Sequence, residues 1–283
     1  MQATGDPTLN IFEISGLAWA AAVGRAMRDL AAEPEVDYAA YQQSAGAGAL
    51  RALEPEDARR LDAELREAGI LGPDGALAEQ WLLAVLLSVS APVRVGAVAR
   101  TGEHSAHTDL GLAGGRGIAV SYRRRVRSTA AGAAVTGVRD VVEVALFEEQ
   151  HAWAAVRRIL PDFAELRARP GAAHRLDGDR TPISPRDLAS LGDAELPRDV
   201  KAAVLAPRCT VHLSVRAAPP GTAPAFHAAD VWALADRLYS VRTADGGRSL
   251  LLVDVPPGDI ARELQWRLLG ARDVLAGSTG PVA

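Results

Sequence analysis

The chain has 283 residues, 48% hydrophobic and 23% charged, with a formal net charge of −4 and a pI near 5.9. This is the composition of a soluble globular protein large enough for one big domain or two modest ones. It supplies no overall basic surface with which to neutralise nucleic-acid phosphates. A single cysteine, Cys209, rules out an internal disulfide and suits a reducing cytoplasm.

The N-terminus carries Asp6 and Glu13 ahead of the apolar LAWAAAV, without the positive leader or cleavage pattern of a secretory signal. The first well-signalled helix runs from Pro55 to Ala68. Pro55 suits the first helical position, Glu56 and Asp57 complement the N-terminal dipole, Leu61 and Leu65 share a face, and Gly69 is placed to cap the end. After the turn at Gly72-Pro73-Asp74-Gly75, LAEQWLLAVLLSV is apolar nearly all round, as expected of a helix covered by its neighbours. Its uncharged run is shorter than the ~20 residues that cross a bilayer, so no membrane insertion is expected. The second of these helices is too apolar to read bases in a groove, and a packed pair is expected in place of a DNA-binding motif.

The pattern then shifts to period two. APVRVGAVAR, SAHTDLGLA and GIAVSYR read as strands. A two-residue Gly114-Gly115 turn would set Asp109 opposite Val120 and His107 opposite Tyr122, mixing polar with apolar. An odd-length loop that pairs Leu110 and Leu112 with Ile118 and Val120 is expected instead. RSTAAGAAVTG reads as a loop, VVEVALF as a strand, and EEQHAWAAVRRILP as an amphipathic helix stopped by Pro161. Residues 164 to 184 read as an exposed connection, followed by helices at ISPRDLASL, with Ser184 as N-cap, and at LPRDVKAAVL.

The second half echoes the first. APRCTVHLSVR parallels APVRVGAVAR, GGRSLLLVDV parallels GGRGIAVSYR, and each half closes on a helix, with an insertion expected around PPGTAPAFHAAD. Residues 1 to 163 form one half and 164 to 283 the other, packed into one compact domain. The expected fold class is α+β, a central antiparallel sheet flanked by helices in two quasi-symmetric halves.

The stretch GEHSAHTDLGLAGGRG is the candidate for chemistry. A metal site would need His104, His107 and Asp109 to converge, but strand alternation puts His104 on the opposite face from the other two. The glycines lie between two strands, where a hairpin turn needs them, and not ahead of a helix, where a phosphate would. No G-x-S-x-G elbow occurs, and Cys209 sits mid-strand. No catalytic, cofactor-binding or metal-ligating residue is assigned, and the enzyme built on His104, His107 and Asp109 stands as the alternative. Arg123, Arg124, Arg125 and Arg127 form the strongest charge run, read as a solvated strand end, with a docking patch for an acidic partner as its functional counterpart. Trp81, Trp153 and Trp266 read as core residues, and Trp232, in more polar company, as an interface residue.

The opening IFEISGLAWAAAVGRA, the helix end LREAGILGPDGAL, the strand APVRVGAVAR ahead of a GGR hairpin, and the closing GGRSLLLVDVPPGDIARELQWRLL together resemble the EspG family of secretion-associated proteins. The resemblance spans residues 11 to 270 through a dispersed pattern of glycine, arginine and apolar positions. It implies a cytosolic chaperone of actinobacterial type VII (ESX) secretion, without cofactor or covalent chemistry. Its implied clients are PE/PPE-like heterodimers or other helical-hairpin substrates, whose apolar tip it keeps soluble for export. High alanine and arginine content agrees with an actinobacterial, GC-rich genome. In that family the partner interface uses the loop between the second and third strands, which falls here at Arg100, Thr101, Gly102, Glu103 and His104. Self-association into a homodimer is left open.

Overall fold

The computed structural model describes residues 8–31, 38–129, 132–170, 178–184, 186–187, 195–219 and 222–278. Among the described residues ten antiparallel strands form one sheet: β1 (Leu9–Ile14), β2 (Val93–Thr101), β3 (His104–Ala113), β4 (Arg116–Thr129), β5 (Gly132–Glu148), β6 (Arg180–Ile183), β7 (Cys209–Ala217), β8 (Phe226–Leu234), β9 (Leu238–Ala244) and β10 (Ser249–Asp254). Their order is β1-β5-β4-β3-β2-β7-β8-β9-β10-β6. Five strands of the first half and five of the second are thus arranged alike about the β2–β7 seam, where Val93 to Arg100 pair with Ala217 to Thr210.

The helices are α1 (Gly16–Asp29), α2 (Tyr38–Gln42), α3 (Ala45–Arg51), α4 (Pro55–Glu67), α5 (Glu79–Ser90), α6 (Ala152–Ile159), α7 (Ala164–Arg167), α8 (Arg198–Leu205) and α9 (Asp259–Ser278). One sheet face, the first, is sealed by α6 and α9. There Val95, Ala97, Leu110 and Leu112 meet Val156 and Ile159 of α6, and Val211, Leu213 and Val215 meet Ile260, Leu264 and Leu268 of α9. The second face is covered in two separate places. α1, α4 and α5 bury Ile14, Ile118 and Val144 at one end, and α8 buries Ala233, Tyr239 and Leu252 at the other.

The local signals act as chemistry requires. Ser15 caps α1 by accepting from the Ala18 amide, and its own N–H and hydroxyl donate to Glu64 of α4, which ties the two helices together. Gly69 takes a positive φ of 66°. The Gly69 amide donates to Arg66 and the Ile70 amide to Leu65, a Schellman cap that ends α4. α5 lies directly on β3: a Cβ on Gly111 would sit 1.9 Å from the Leu87 carbonyl oxygen. α5 is nonetheless not covered all round, for Leu83 on its outer side is exposed.

Several sequence expectations are overturned. The β3–β4 hairpin closes through a two-residue turn, Gly114 and Gly115 at φ 56° and 76°, as two positive-φ residues permit. Asp109 therefore does pair with Val120, and His107 with Tyr122. This mixture is tolerated because the second face changes from helix-covered to open between these strands. The described residues of RSTAAGAAVTG, 127–129 and 132–137, are not a loop, since β4 and β5 run on as a two-stranded ribbon past the rest of the sheet. The two GGR motifs are not equivalent: the first joins β3 to β4 and the second precedes β10, whose counterpart by sheet position is β5. The segment read as an insertion runs at its C-terminal end into β8, from Phe226 to Asp230, and the connection read at 164 to 184 contains α7 and the edge strand β6. Ser184 accepts a bond from the Asp187 amide as an N-cap would, and its carboxyl partner is held below the usual aspartate range by Ser184. The rest of that predicted helix lies outside the described residues.

Candidate partner-binding face

The five residues assigned to a β2–β3 loop do not form one. Thr101 pairs with His104 and Arg100 with Ser105, so Arg100, Thr101 and His104 belong to strands and the turn is Gly102 and Glu103 alone. Gly102 takes φ 57°. The turn is tied to its neighbour: the Val126 amide donates to the Glu103 carbonyl at 2.7 Å, and Arg100 donates to Ser128 Oγ at 2.6 Å and to the Gly102 carbonyl at 3.3 Å. Gly102, Glu103 and His104 are exposed.

Between the two helical covers, the second face is open over β4, β3, β2 and β7. A cleft of about 530 Å³ lies there, walled by Trp19 and Val23 of α1 and floored by Asp109, Tyr122, Ser214 and Arg216. Gly96 keeps the floor deep, since a Cβ on it would meet Ser214 Oγ at 2.9 Å and Asp109 Oδ1 at 3.7 Å. Arg94 and Arg216 are directly opposed across the seam, an arrangement of like charges that costs stability. It is eased where Arg94 turns to donate to the Val89 carbonyl. Burial pushes the Asp109 carboxyl above the usual range despite His107, Arg94, Arg124 and Arg216 pulling the other way.

Beside the cleft, the His107 and Tyr122 rings stack with centroids 4.9 Å apart and planes 4° from parallel. The Arg124 guanidinium lies 4.7 Å from the centre of the Tyr122 ring. Burial, then the Arg124 charge, holds the His107 imidazole below its ordinary pKa, and burial raises the Tyr122 phenol. This layered aromatic and cationic surface was not read from the sequence. The signal was available in the register that places His107 opposite Tyr122, the register set aside in favour of the odd loop.

Ser105, His107 and Asp109 stand at alternate positions on one strand face, and Ser105 Oγ lies 2.9 Å from His107 Nε2. The row does not form a nucleophilic triad. Ser105 is buried, no hydrogen bond joins His107 to Asp109, and the neighbouring β-strand amides are engaged in ladders. His104 points to the opposite face, as expected. Among the described residues no three His, Cys, Asp or Glu side chains gather as a metal site would require. Cys209 is buried, and burial pushes its thiol up.

Two tryptophans are placed contrary to expectation. Trp232 is 1% exposed and donates from Nε1 to Asp259 Oδ2 at 2.8 Å, so it is a core residue that presents nothing to a partner. Of the polar company in its sequence, His227 lies on the opposite face of β8, and Asp230 shares the face of Trp232 but is held by Arg267 of α9 at 2.8 Å. Trp266, expected in the core, is 61% exposed on the outer side of α9 beside Leu269. Trp81 is buried against Phe12, their rings 4.8 Å apart.

No protein-family model matches the chain, and no curated protein matches it in sequence. Among solved structures, the chain superposes on the Mycobacterium tuberculosis type VII secretion system chaperone EspG5, determined in complex with the PE25-PPE41 dimer. The TM-score is 0.50 at 13% identity, with 94% of this chain and 96% of that chain covered. The fold is EspG-like.

Proposed function

We propose that this protein is a chaperone of type VII secretion that holds a helical-hairpin substrate, a PE/PPE-like heterodimer or another pair of that shape, and keeps it soluble for export. The observation that carries this reading is the EspG-like fold over 94% of the chain, shared with a chaperone solved with such a dimer bound. The reading is supported by the open centre of the second face, a concave surface that mixes aromatic, apolar and charged groups as transient interfaces do. Its client-facing end is the β2–β3 turn, where Glu103 and His104 project and Arg100 and Thr101 hold the strands that present them. The chaperone works in the cytoplasm, needs no cofactor and does no covalent chemistry. No described helix is long and apolar enough to cross a membrane.

The test is co-expression with a PE/PPE-like pair from the same genome, followed by gel filtration and titration. Co-elution is expected. Replacing Glu103 and His104 together with alanine should weaken binding about threefold to tenfold, as for rim contacts, with an unchanged melting temperature. Failure of the wild type to bind any helical-hairpin pair would refute the reading. Stoichiometric zinc in the purified protein would favour the enzyme built on His104, His107 and Asp109.

A further inference from the structure

The β4–β5 ribbon carries five arginines and one aspartate between residues 123 and 140, in a chain whose net charge is −4. The two strands pair from Arg124↔Val138 to Thr129↔Gly132, with bulges between Tyr122 and Arg124 and between Arg125 and Val126. Register and alternation sort the side chains onto two faces. Val135 and Val138 share a face with Val126 and are 51% and 63% exposed. Arg123, Arg125 and Arg127, all exposed, share the other with Arg139. None of these four arginines makes an ion pair among the described residues, whereas Arg158 at the base of the ribbon is held by Glu143 at 2.5 Å.

The outer edge of β5 is also open. β1 pairs with β5 only from Val142 to Phe147, and no described strand other than β4 lies along residues 132 to 141. The backbone there presents ladder donors and acceptors to solvent, flanked on one side by a cationic row and on the other by bare valines. An exposed two-stranded ribbon is marginally stable alone, and a third strand is what completes it.

We infer that the outer edge of the ribbon, residues 134 to 139, is a strand-addition site for an extended polypeptide segment in which acidic and apolar residues alternate. In such a segment the acidic side chains fall on the Arg139 face. They recur about every 6.7 Å, the repeat of Arg123, Arg125 and Arg127 one strand further in. The apolar side chains fall beside Val135 and Val138. The charge chooses the partner: pairing with the same edge of a second copy would set one cationic row beside another, and that like-charge contact disfavours it, whereas acidic side chains are attracted. The backbone edge favours polypeptide over a polyphosphate, which cannot join a ladder. The site is independent of the chaperone reading, because it needs no helical-hairpin client.

The experiment uses the full chain and an acetylated eight-residue peptide alternating Glu and Val, titrated by fluorescence anisotropy. Saturable binding with a Kd of about 0.1 mM is expected. Methylating alternate backbone nitrogens should weaken it at least ~10-fold by removing ladder donors. The Arg125→Gln, Arg127→Gln, Arg139→Gln protein should bind about 3- to 10-fold more weakly with the same melting temperature. Equal binding of a Lys–Val peptide, indifference to N-methylation, unaltered binding by the triple variant, or no saturation below ~1 mM would each overturn the inference. A free protein that sediments as a dimer, and becomes a monomer on Val138→Lys, would assign the edge to a second copy instead.

Discussion

Replacing Trp232 by phenylalanine separates a core tryptophan from an interface one. The substitution keeps an aromatic ring in a site that is 1% exposed but removes the Nε1–H that donates to Asp259 at 2.8 Å. Asp259 is buried at the first turn of α9, and its remaining side-chain partner is Arg262. A hydrogen bond to a charged group contributes about 1.5–3 kcal/mol, and the abandoned acceptor adds to the loss. Trp232→Phe should therefore destabilise the fold by ~2 kcal/mol, which for a chain of this size lowers the melting point by roughly 4–8 °C. Thermal and urea unfolding followed by circular dichroism measure it, and Asp259→Asn in a double-mutant cycle isolates the pair. Client affinity should be unchanged under conditions where the variant is folded. An unaltered melting point with lost client binding would refute the burial argument and return Trp232 to the interface.

Other consequences follow from the same geometry. Gly111→Ala places a methyl group against the Leu87 carbonyl. It should displace α5 and cost at least ~2 kcal/mol, seen as a lower urea midpoint. His107, whose imidazole is held below its ordinary pKa of 6.5 by burial, takes up its proton more readily unfolded than folded. Stability should therefore fall as the pH drops below about 6.5. His107→Gln should flatten that slope in pH-dependent unfolding, and an unchanged slope would place its origin elsewhere. Trp266→Ser, on the solvent side of α9, should leave the unfolding free energy within ~0.5 kcal/mol of wild type and reduce concentration-dependent light scattering.

The sequence was most legible where local chemistry decides the outcome. Pro55, Gly69 and the apolar row of Leu61 and Leu65 mark α4 unaided, because caps and helical faces are written within a few residues. The alternation of Val93, Val95, Ala97 and Ala99 likewise marks β2 and its inward face. What could not be read depends on which helices cover which part of the second face. The odd-loop expectation for β3–β4 assumed a uniform polar face, but that face is covered over Ile118 and open at Asp109. The ribbon escaped for a related reason. The described side chains of RSTAAGAAVTG are all exposed, so they lack the periodicity that burial imposes, and the pairing comes from the strands that lead into the segment. Trp232 and Trp266 were exchanged because helix and strand context shows which neighbours share a face only once the element type is known. Of the candidate site, the turn's location was legible and its length was not: a two-residue connection fits the same sequence as a five-residue loop.

The β2–β7 seam has one more consequence. Two similarly built halves meet there edge to edge, as two subunits of an isologous dimer would. At the middle of the seam Ala97 lies across from Leu213, a small residue against a large one, which two identical subunits could not offer each other at a shared position. Because one chain supplies both sides, the joint does not dissociate on dilution. Each half is then free to change without preserving the other: the first has lengthened two strands into a ribbon, while their counterparts β9 and β10 stop at seven and six residues.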